Sequence, residues 1–271
     1  MNDLKDADGA ALDPQLEPLL ADPGAVAVLT DVDGTLAPIV ERPELAAVPD
    51  EARGALAALS ERFGLIGCVS GRRAAEARRL VGLDGIAYAG NHGLELLLPG
   101  EEEPVFDPAL ERADAAPSFV AELDREALAK TGLRIEDKGP IQALHWRGAE
   151  DEDGAEAQAR KIAEDAARLG LHPHWGRRVL ELRPVAEVGK DIAVKALLGT
   201  AAVRAAIYAG DDRTDLDAFR GLRELREQGG LDSAVCVGIV SPEAPPELAR
   251  EADLTVGRPA EWLAILQALA G

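Results

Sequence analysis

Short apolar runs alternate along the chain with segments whose apolar residues recur at helical spacing. The runs at 25–30, 64–69 and 86–89 end at Gly, Asp or Ser, which is typical of buried strands in a parallel sheet. Between them, 49–63 and 72–81 carry apolar residues every three or four positions and predict helices. This alternation of strand and helix predicts a doubly wound α/β domain.

The same alternation returns near the C-terminus, whereas the middle of the chain has a different pattern. The C-terminal part predicts helices over 191–198, 214–228 and 259–269, and strands over 205–209, 234–239 and 254–256. The middle predicts helices over 117–130 and 152–169, and strands over 132–138, 141–147, 171–175 and 179–183. We therefore predict an α+β domain of order αββαββ over 101–184, inserted into an α/β domain formed by 1–100 and 185–271.

Apolar and polar residues alternate with a period of two along the strands of the inserted domain. Because successive side chains of a strand point to opposite faces, one face of the sheet is apolar and can pack on the two helices. The other face gathers polar residues, namely Arg134, Glu136, Lys138, His145, Arg147, Glu181 and Arg183. That face is either an ordinary solvated surface or a surface that contacts a substrate, and the pattern leaves both interpretations open.

Composition and charge narrow the class of protein. The chain has 271 residues, 47% of them apolar, and a formal net charge of −20. Such a negative field repels nucleic acids and anionic membranes, so we expect neither as a partner. The two cysteines, Cys68 and Cys236, lie in apolar runs and predict buried reduced thiols. The sequence has no apolar stretch long enough to span a membrane, and its acidic N-terminus is unlike a signal peptide, so we expect a cytoplasmic protein. We also expect a monomer.

Four polar loops carry the candidate chemistry. They are DVDGT at 31–35, SGR at 70–72, GK at 189–190 and GDDRTD at 210–215. In open α/β sheets ligands bind outside the carboxyl ends of the strands, so these loops can converge although they are far apart in sequence. Several carboxylates brought together need a cation, and oxygen ligands without His or Cys favour Mg²⁺.

A hydroxyl group and a lysine beside such a cluster, Ser70 and Lys190, suit a phosphate dianion. The set predicts metal-assisted phosphoryl transfer with an aspartate nucleophile. Each Asp taken alone is more often a helix cap or a turn than a catalytic residue, and only the four loops together, in this order, indicate phosphoryl transfer.

These motifs resemble those of a known family. DVDGTL at 31–36, SGR at 70–72, Lys190 and GDDRTD at 210–215 resemble the four ordered motifs of haloacid-dehalogenase (HAD) superfamily phosphatases. Further segments are similar to trehalose-6-phosphate phosphatases, namely GNHGLE at 90–95, EDK at 136–138, HWR at 145–147, ELRP at 181–184 and DDRTDLDAF at 211–219. The resemblance spans residues 25 to 220. It departs at Asp191 and Leu216, where the family usually has Gly and Glu.

The resemblance implies a HAD-like Rossmannoid core with an α+β cap. It also implies Mg²⁺-dependent hydrolysis of trehalose 6-phosphate to trehalose and phosphate, as in trehalose biosynthesis. Asp31 would attack phosphorus and become an aspartyl phosphate. Asp33 would protonate the leaving sugar oxygen and then activate water.

The remaining roles are implied in the same way. Asp31, the backbone carbonyl of Asp33, and Asp211 would bind Mg²⁺, with Asp212 and Asp215 supporting that shell. Ser70 and Lys190 would hold the transferring phosphoryl oxygens. The inserted domain would be a mobile cap whose sugar-recognising residues are Glu136, Lys138, Arg147 and Glu181.

Several alternatives stay open at this stage. The substrate could instead be glucosyl- or mannosyl-phosphoglycerate or sucrose phosphate, and the chain could be a phosphomutase or a non-catalytic sugar-phosphate sensor. His172 and His174 share a strand face as a metal pair or a surface pair. His92 lines the substrate entrance or orders its own loop. Arg72 contacts phosphate or begins a helix.

Overall fold

A computed structural model describes residues 13–39, 46–106, 114–184, 189–242 and 244–271. The chain divides into two units, Met1–Val105 with Gly189–Gly271, and Phe106–Val188. Of the acidic N-terminal residues behind the expectation of no signal peptide, Asp3, Asp6 and Asp8 lie outside the described residues, and Asp13 is the first residue described. Among the helices that the structure describes, none combines the length and apolar character needed to span a bilayer.

Strands and helices alternate along the first unit. Its strands are β1 (Val26–Asp31), β2 (Leu65–Val69), β3 (Ala87–Gly90), β4 (Glu95–Leu97), β5 (Val105–Phe106), β10 (Ala205–Gly210), β11 (Ser233–Ile239) and β12 (Leu254–Val256). Its helices are α1 (Glu17–Leu20), α2 (Asp50–Ser60), α3 (Ala74–Val81), α7 (Lys190–Leu198), α8 (Asp215–Glu227), α9 (Pro246–Glu251) and α10 (Pro259–Ala270). The described strands form one sheet in the order β12-β11-β10-β1-β2-β3-β4-β5.

The strand β1 lies at the centre of this sheet and is buried at every position. It pairs in parallel with β10 on one side and β2 on the other. On one face Val28 packs in a cluster with Leu56 of α2 and Trp262 of α10, and on the other Leu29 packs in a cluster with Phe219 of α8. Helices therefore cover both faces of the sheet, which confirms the predicted doubly wound α/β core.

The second unit is an antiparallel sheet covered on one face by helices. Its strands are β6 (Arg134–Lys138), β7 (Ile141–His145), β8 (His172–Gly176) and β9 (Val179–Arg183), in the order β6-β7-β9-β8. Its helices are α4 (Ala115–Ala121), α5 (Arg125–Thr131) and α6 (Glu152–Arg168). Leu144 and Leu180 on the apolar face pack in one cluster with Ile162 of α6. The α+β character of the inserted segment is thus as predicted.

Two elements of the second unit differ from the sequence predictions. The single helix predicted over 117–130 is two helices, because the Asp124 side chain accepts hydrogen bonds from the N–H groups of Glu126 and Ala127 and starts a new helix. The strand predicted over 141–147 ends at His145, so Arg147 lies beyond the sheet. In the first unit, the short strand β4 and helix α9 were not predicted, because each is too short to show periodicity.

Candidate active site

The register of the central strands brings the candidate loops to one edge of the sheet. Asp31 is the last residue of β1 and pairs with Val69 of β2, so Ser70 follows directly beside it. On the other side, Thr30 pairs with Ala209 of β10, so the loop that carries Asp211 begins beside the same strand end. The predicted convergence of these loops is therefore present.

Three buried carboxylates form the centre of the site. Asp31, Asp211 and Asp215 each offer an oxygen, and these oxygens lie within 4.8 Å of one another. Burial raises the pKa of Asp31 well above its usual range, against the opposing charge of Lys190. Burial, and then the neighbouring charges of Asp215 and Asp212, raise the pKa of Asp211 to about 7. The cluster holds more negative charge than its protein surroundings neutralise.

Lys190 lies inside this cluster at the start of α7. Its Nζ atom is 2.9 Å from Oδ1 of Asp31 and 2.7 Å from Oδ1 of Asp215. Burial disfavours the charged lysine, but the charges of Asp215 and Asp31 outweigh it and raise the lysine pKa well above its usual value. Lys190 is therefore a fixed cation between the end of β1 and the loop after β10.

Asp215 holds the loop after β10 in place. Its Oδ2 atom accepts hydrogen bonds from the N–H groups of Asp211 and Asp212, both at 2.9 Å. Its Oδ1 atom accepts from Tyr208 Oη at 2.5 Å as well as from Lys190. Burial, moderated by Lys190, raises the Asp215 pKa to about 6. Asp215 thus fixes the backbone that presents Asp211 and also the direction of the lysine.

Asp212 lies at the outer side of the cluster. Its Oδ1 atom accepts hydrogen bonds from the Thr214 N–H and Oγ1 groups, and it is 3.9 Å from Lys190 Nζ. Burial opposes ionisation of Asp212, but the Lys190 charge and the bonds from Thr214 prevail and lower its pKa to about 2. Its side chain supports the loop and is absent from the close carboxylate triad.

Gly34 and Thr35 allow the DVDGT loop to lie directly against Asp211. Gly34 has φ +87°, and a Cβ atom there would stand 2.1 Å from Oδ2 of Asp211. The next residue, Thr35, is buried and donates from Oγ1 to Oδ1 of Asp211 at 3.2 Å. A side chain at position 34 would therefore push apart the two loops that carry the carboxylates.

The Asp33 side chain is directed at Arg72 in the SGR loop. Arg72 Nε and Nη2 donate to the two oxygens of Asp33 at 2.7 and 2.8 Å. The backbone N–H of Arg72 donates to Ser70 Oγ at 3.1 Å, and Ser70 is buried. The structure thus links Asp33, Arg72 and Ser70, and the Asp33 carboxylate is not part of the close group formed by Asp31, Asp211 and Asp215.

The GNHGLE segment connects the SGR loop to the start of α7. His92 adopts φ 55°; its N–H donates to the Ser70 carbonyl at 3.2 Å, and its carbonyl accepts from the Gly189 N–H at 3.1 Å. The buried Glu95 carboxylate accepts from the Ala74 N–H and the Asn91 side chain, both at 2.7 Å. His92 therefore ties both candidate phosphate-binding motifs through its backbone, which favours the loop-ordering interpretation.

In the second unit, cross-strand pairing places the polar residues on one sheet face. Lys138 Nζ lies 3.1 Å from Oε1 of Glu181, and the Arg183 guanidinium donates to Oε2 of Glu181 at 2.7 and 3.1 Å. Glu136 Oε2 lies 2.7 Å from His145 Nε2, and this bond lowers the Glu136 pKa. Lys138 is also 3.9 Å from Glu136, so all five residues form one charged network.

Two further predicted residues lie outside this network. Arg147 is exposed beyond the end of β7, and its carbonyl accepts from Arg134 Nη2 at 3.0 Å. His174 pairs with Glu181 and His172 with Arg183 across β8 and β9, so both histidines share the polar sheet face. Among the described residues, the close group of metal-type ligands is the aspartate triad, and neither histidine is part of it.

Comparison with known proteins gives this site a family. A family model described as trehalose-phosphatase matches residues 29–244, which include every loop at this edge of the sheet. The chain belongs to the trehalose-phosphatase family. It is 33% identical over 177 residues to a probable trehalose-phosphate phosphatase C of Arabidopsis thaliana, an alignment that covers 60% of this chain and 54% of that protein. The chain spans about half the length of the curated relatives it matches.

Solved structures show the same architecture. The C-terminal domain of a Candida albicans trehalose-6-phosphate phosphatase has a TM-score of 0.72 and 25% identity, with 96% of this chain and 99% of that chain covered. A haloacid-dehalogenase-like hydrolase from Bacteroides thetaiotaomicron has a TM-score of 0.62 at 14% identity, with 90% and 97% covered. The trehalose-phosphatase family member described here therefore has a HAD-like fold, as the motifs imply.

Sequence reasoning missed two members of this candidate site and left a third undecided. Thr35 stands inside the DVDGT motif and is signalled only by its position. Tyr208 carries a hydroxyl group within the otherwise apolar run AAIYAG. A hydrogen-bond donor in a buried strand indicates that a buried acceptor lies nearby. Arg72 was assigned to phosphate or to a helix start, whereas the structure pairs it with Asp33.

Proposed function

We propose that this chain hydrolyses a disaccharide monophosphate, trehalose 6-phosphate, to trehalose and phosphate, with Asp31 as the nucleophile. The observation that carries the proposal is the position of the Asp31 carboxylate. It stands at a strand end, in contact with a buried lysine and beside two further buried carboxylates. A binding module needs no such group, because anionic ligands are repelled by carboxylates and are held by cations and N–H groups.

The donor set fits a divalent cation. Three buried carboxylates present only oxygen, and Lys190 supplies one positive charge against them. Gly34 leaves the space that a Cβ atom would occupy beside Asp211, so the loop backbone can approach the same point. Hard oxygen ligands of this kind suit Mg²⁺, which Asp31, Asp211 and the carbonyl of Asp33 would hold. When bound, Mg²⁺ supplies charge neutralisation for the phosphoryl oxygens.

The first chemical step uses Asp31 and Asp33. A carboxylate oxygen of Asp31 forms a bond to phosphorus as the bond from phosphorus to the sugar oxygen breaks, and Asp33 delivers a proton to that sugar oxygen. Lys190 and the Ser70 hydroxyl group hold the transferring phosphoryl oxygens. The contact between Lys190 and Asp31 supports this assignment, since the lysine lies where charge on the phosphoryl group is held.

The second step returns the enzyme to its starting state. Asp33, now ionised, takes a proton from water, and the water oxygen attacks phosphorus. The bond between phosphorus and Asp31 breaks, which frees phosphate and the Asp31 carboxylate. Asp33 thus acts as an acid in the first step and as a base in the second, because the first step leaves its carboxyl group deprotonated.

The second unit is proposed to act as the cap, predicted over 101–184, and to recognise the sugar. Glu136, Lys138 and Glu181 form its charged network, and charged groups with fixed neighbours are suitable partners for sugar hydroxyl groups. Arg147 is proposed as a further contact. The network is already held by Arg183 and His145, so its geometry does not depend on the substrate.

A substrate panel tests this function. Phosphate release is measured with Mg²⁺ on trehalose 6-phosphate, sucrose phosphate, and glucosyl- and mannosyl-phosphoglycerate, each against the Asp31→Asn variant. We expect trehalose 6-phosphate to give the highest kcat/KM and Asp31→Asn to lose activity on every substrate. A higher kcat/KM for another member would reassign the substrate. Tight binding without phosphate release would identify a sensor, and transfer to a second sugar position would identify a mutase.

A further inference from the structure

Arg72 combines a fixed position with a directed pair of hydrogen-bond donors. Its backbone N–H donates to Ser70 Oγ at 3.1 Å, and its carbonyl accepts from the Asn91 N–H at 2.8 Å. On the side chain, Nη1 donates to Oε1 of Glu76 one helical turn further on, at 2.7 Å. Arg72 is therefore held in place by its backbone and by the Glu76 carboxylate, independently of Asp33.

Asp33 is the less constrained partner of this pair. Its side chain is 41% exposed, whereas that of Arg72 is 16% exposed. It lies in the DVDGT loop next to Gly34, and both of its oxygens accept from the guanidinium, at 2.7 and 2.8 Å. A two-point contact between planar groups fixes direction as well as distance, which a single hydrogen bond does not.

From this geometry we propose that Arg72 is a positioning residue that aims the Asp33 carboxyl group at the leaving-group oxygen. The inference rests on the proposed function, in which Asp33 gives that proton. Each carboxyl oxygen has two lone pairs, so one oxygen can keep its bond from Arg72 while the other passes a proton to the sugar oxygen. Nε, Nη1 and Nη2 of Arg72 each contact a carboxylate, which favours this role over direct contact with the phosphate.

A pair of substrates that differ only in leaving group tests the inference. Phenyl phosphate needs a proton on its leaving oxygen, whereas 4-nitrophenyl phosphate releases a stabilised anion and needs little help. We expect Arg72→Gln to lower kcat/KM for phenyl phosphate about ten- to a hundred-fold more than for 4-nitrophenyl phosphate, in line with the usual contribution of acid catalysis. Arg72→Lys keeps the charge without the planar fork and should restore the ratio in part.

A control and a double variant separate this role from a structural one. Arg79→Gln makes the same change on the exposed side of α3 and should leave the ratio at the wild-type value. In the Asp33→Asn background, Arg72→Gln should not change the ratio further, because Arg72 acts through Asp33. Equal losses on both substrates, or a further change of the ratio in that background, would overturn the inference. If Asp33→Asn alone leaves the ratio unchanged, the acid role in the proposed function fails instead.

Discussion

Lys190 Nζ lies 2.9 Å from Oδ1 of Asp31, and both side chains are almost completely buried. The lysine reaches this point from the first turn of α7, while the aspartate ends the central strand β1. A buried charge without its partner is costly, so the two groups depend on each other for stability as well as for the proposed chemistry.

Replacing Lys190 with Met should therefore destabilise the protein and abolish phosphate release. We expect a loss of about 3–5 kcal/mol in the free energy of unfolding without metal, since Asp31 and Asp215 lose their shared cation. Urea unfolding measures it. Lys195→Met on the same helix removes a more exposed pair with Glu224 and should cost at most about 1 kcal/mol. Similar losses for both variants would contradict the buried role of Lys190.

The carboxylate triad predicts a pH-dependent effect of Mg²⁺ on stability. The folded-state pKa of Asp211 is raised to about 7 from 3.8. Its contribution to stability is therefore fully present below pH 3.8 and is lost as the pH rises through about 7. A divalent cation that binds the ionised triad should raise Tm more at pH 8 than at pH 5, by mass action on the folded state.

Thermal unfolding of wild type and Asp211→Asn at both pH values, with and without Mg²⁺, measures this effect. The variant lacks the titrating group, so the gain in metal-free stability from Asp211→Asn should be larger at pH 8 than at pH 5. A metal-free stability difference that is the same at both pH values would show that Asp211 is not held protonated by its neighbours.

Tyr208 offers a test of the network behind the site. Tyr208→Phe keeps the ring that packs edge-on against Phe219 at 6.1 Å and removes the hydrogen bond to Asp215. We expect a loss of about 1.5–3 kcal/mol in unfolding free energy, as for a bond to a charged group, and a lower kcat. Tyr88→Phe in β3 loses a hydrogen bond to the carbonyl of Leu83 and should affect stability but not kcat. An unchanged kcat in Tyr208→Phe would show that the hydrogen bond from Tyr208 to Asp215 does not contribute to catalysis.

If the second unit acts as the proposed cap, its polar sheet face and Arg147, which lies beyond the end of β7, predict a substrate-selective loss. Glu136→Ala, Lys138→Ala and Arg147→Ala should lower kcat/KM for trehalose 6-phosphate by roughly ten- to a hundred-fold, the equivalent of ~1.5–3 kcal/mol per lost charged hydrogen bond. The small ester 4-nitrophenyl phosphate should be nearly unaffected, because it lacks the sugar. Lys161→Ala on the exposed side of α6 is the matched control. Equal losses on both substrates would mean that this face is merely solvated.

The convergence of the candidate loops at one edge of the sheet could be predicted from sequence, because polar loops follow the ends of neighbouring parallel strands there. Asp31, Ser70 and the loop after β10 each follow an apolar run, and parallel pairing brings their ends together. The side-chain partners could not be predicted, because distant contacts decide them. Asp33 turns to Arg72, which lies 39 residues away in sequence. The break between α4 and α5 was not predicted, because an Asp such as Asp124 within a helical pattern does not by itself indicate that a new helix begins there.

The most direct test of the account is to locate the phosphoryl group during turnover. Asp33→Asn removes the acid of the first step and the base of the second. The nitrophenolate of 4-nitrophenyl phosphate leaves without a proton, so this substrate should still phosphorylate the variant with Mg²⁺ present, and the slowed second step should let the phosphoryl group accumulate. Acid quenching should then yield phosphorylated protein, and peptide mass spectrometry should place the group on Asp31. Asp31→Asn should give no phosphorylated protein and lose several orders of magnitude in turnover. Phosphate release by Asp31→Asn at near wild-type rate, or a phosphoryl group on another residue, would contradict the account.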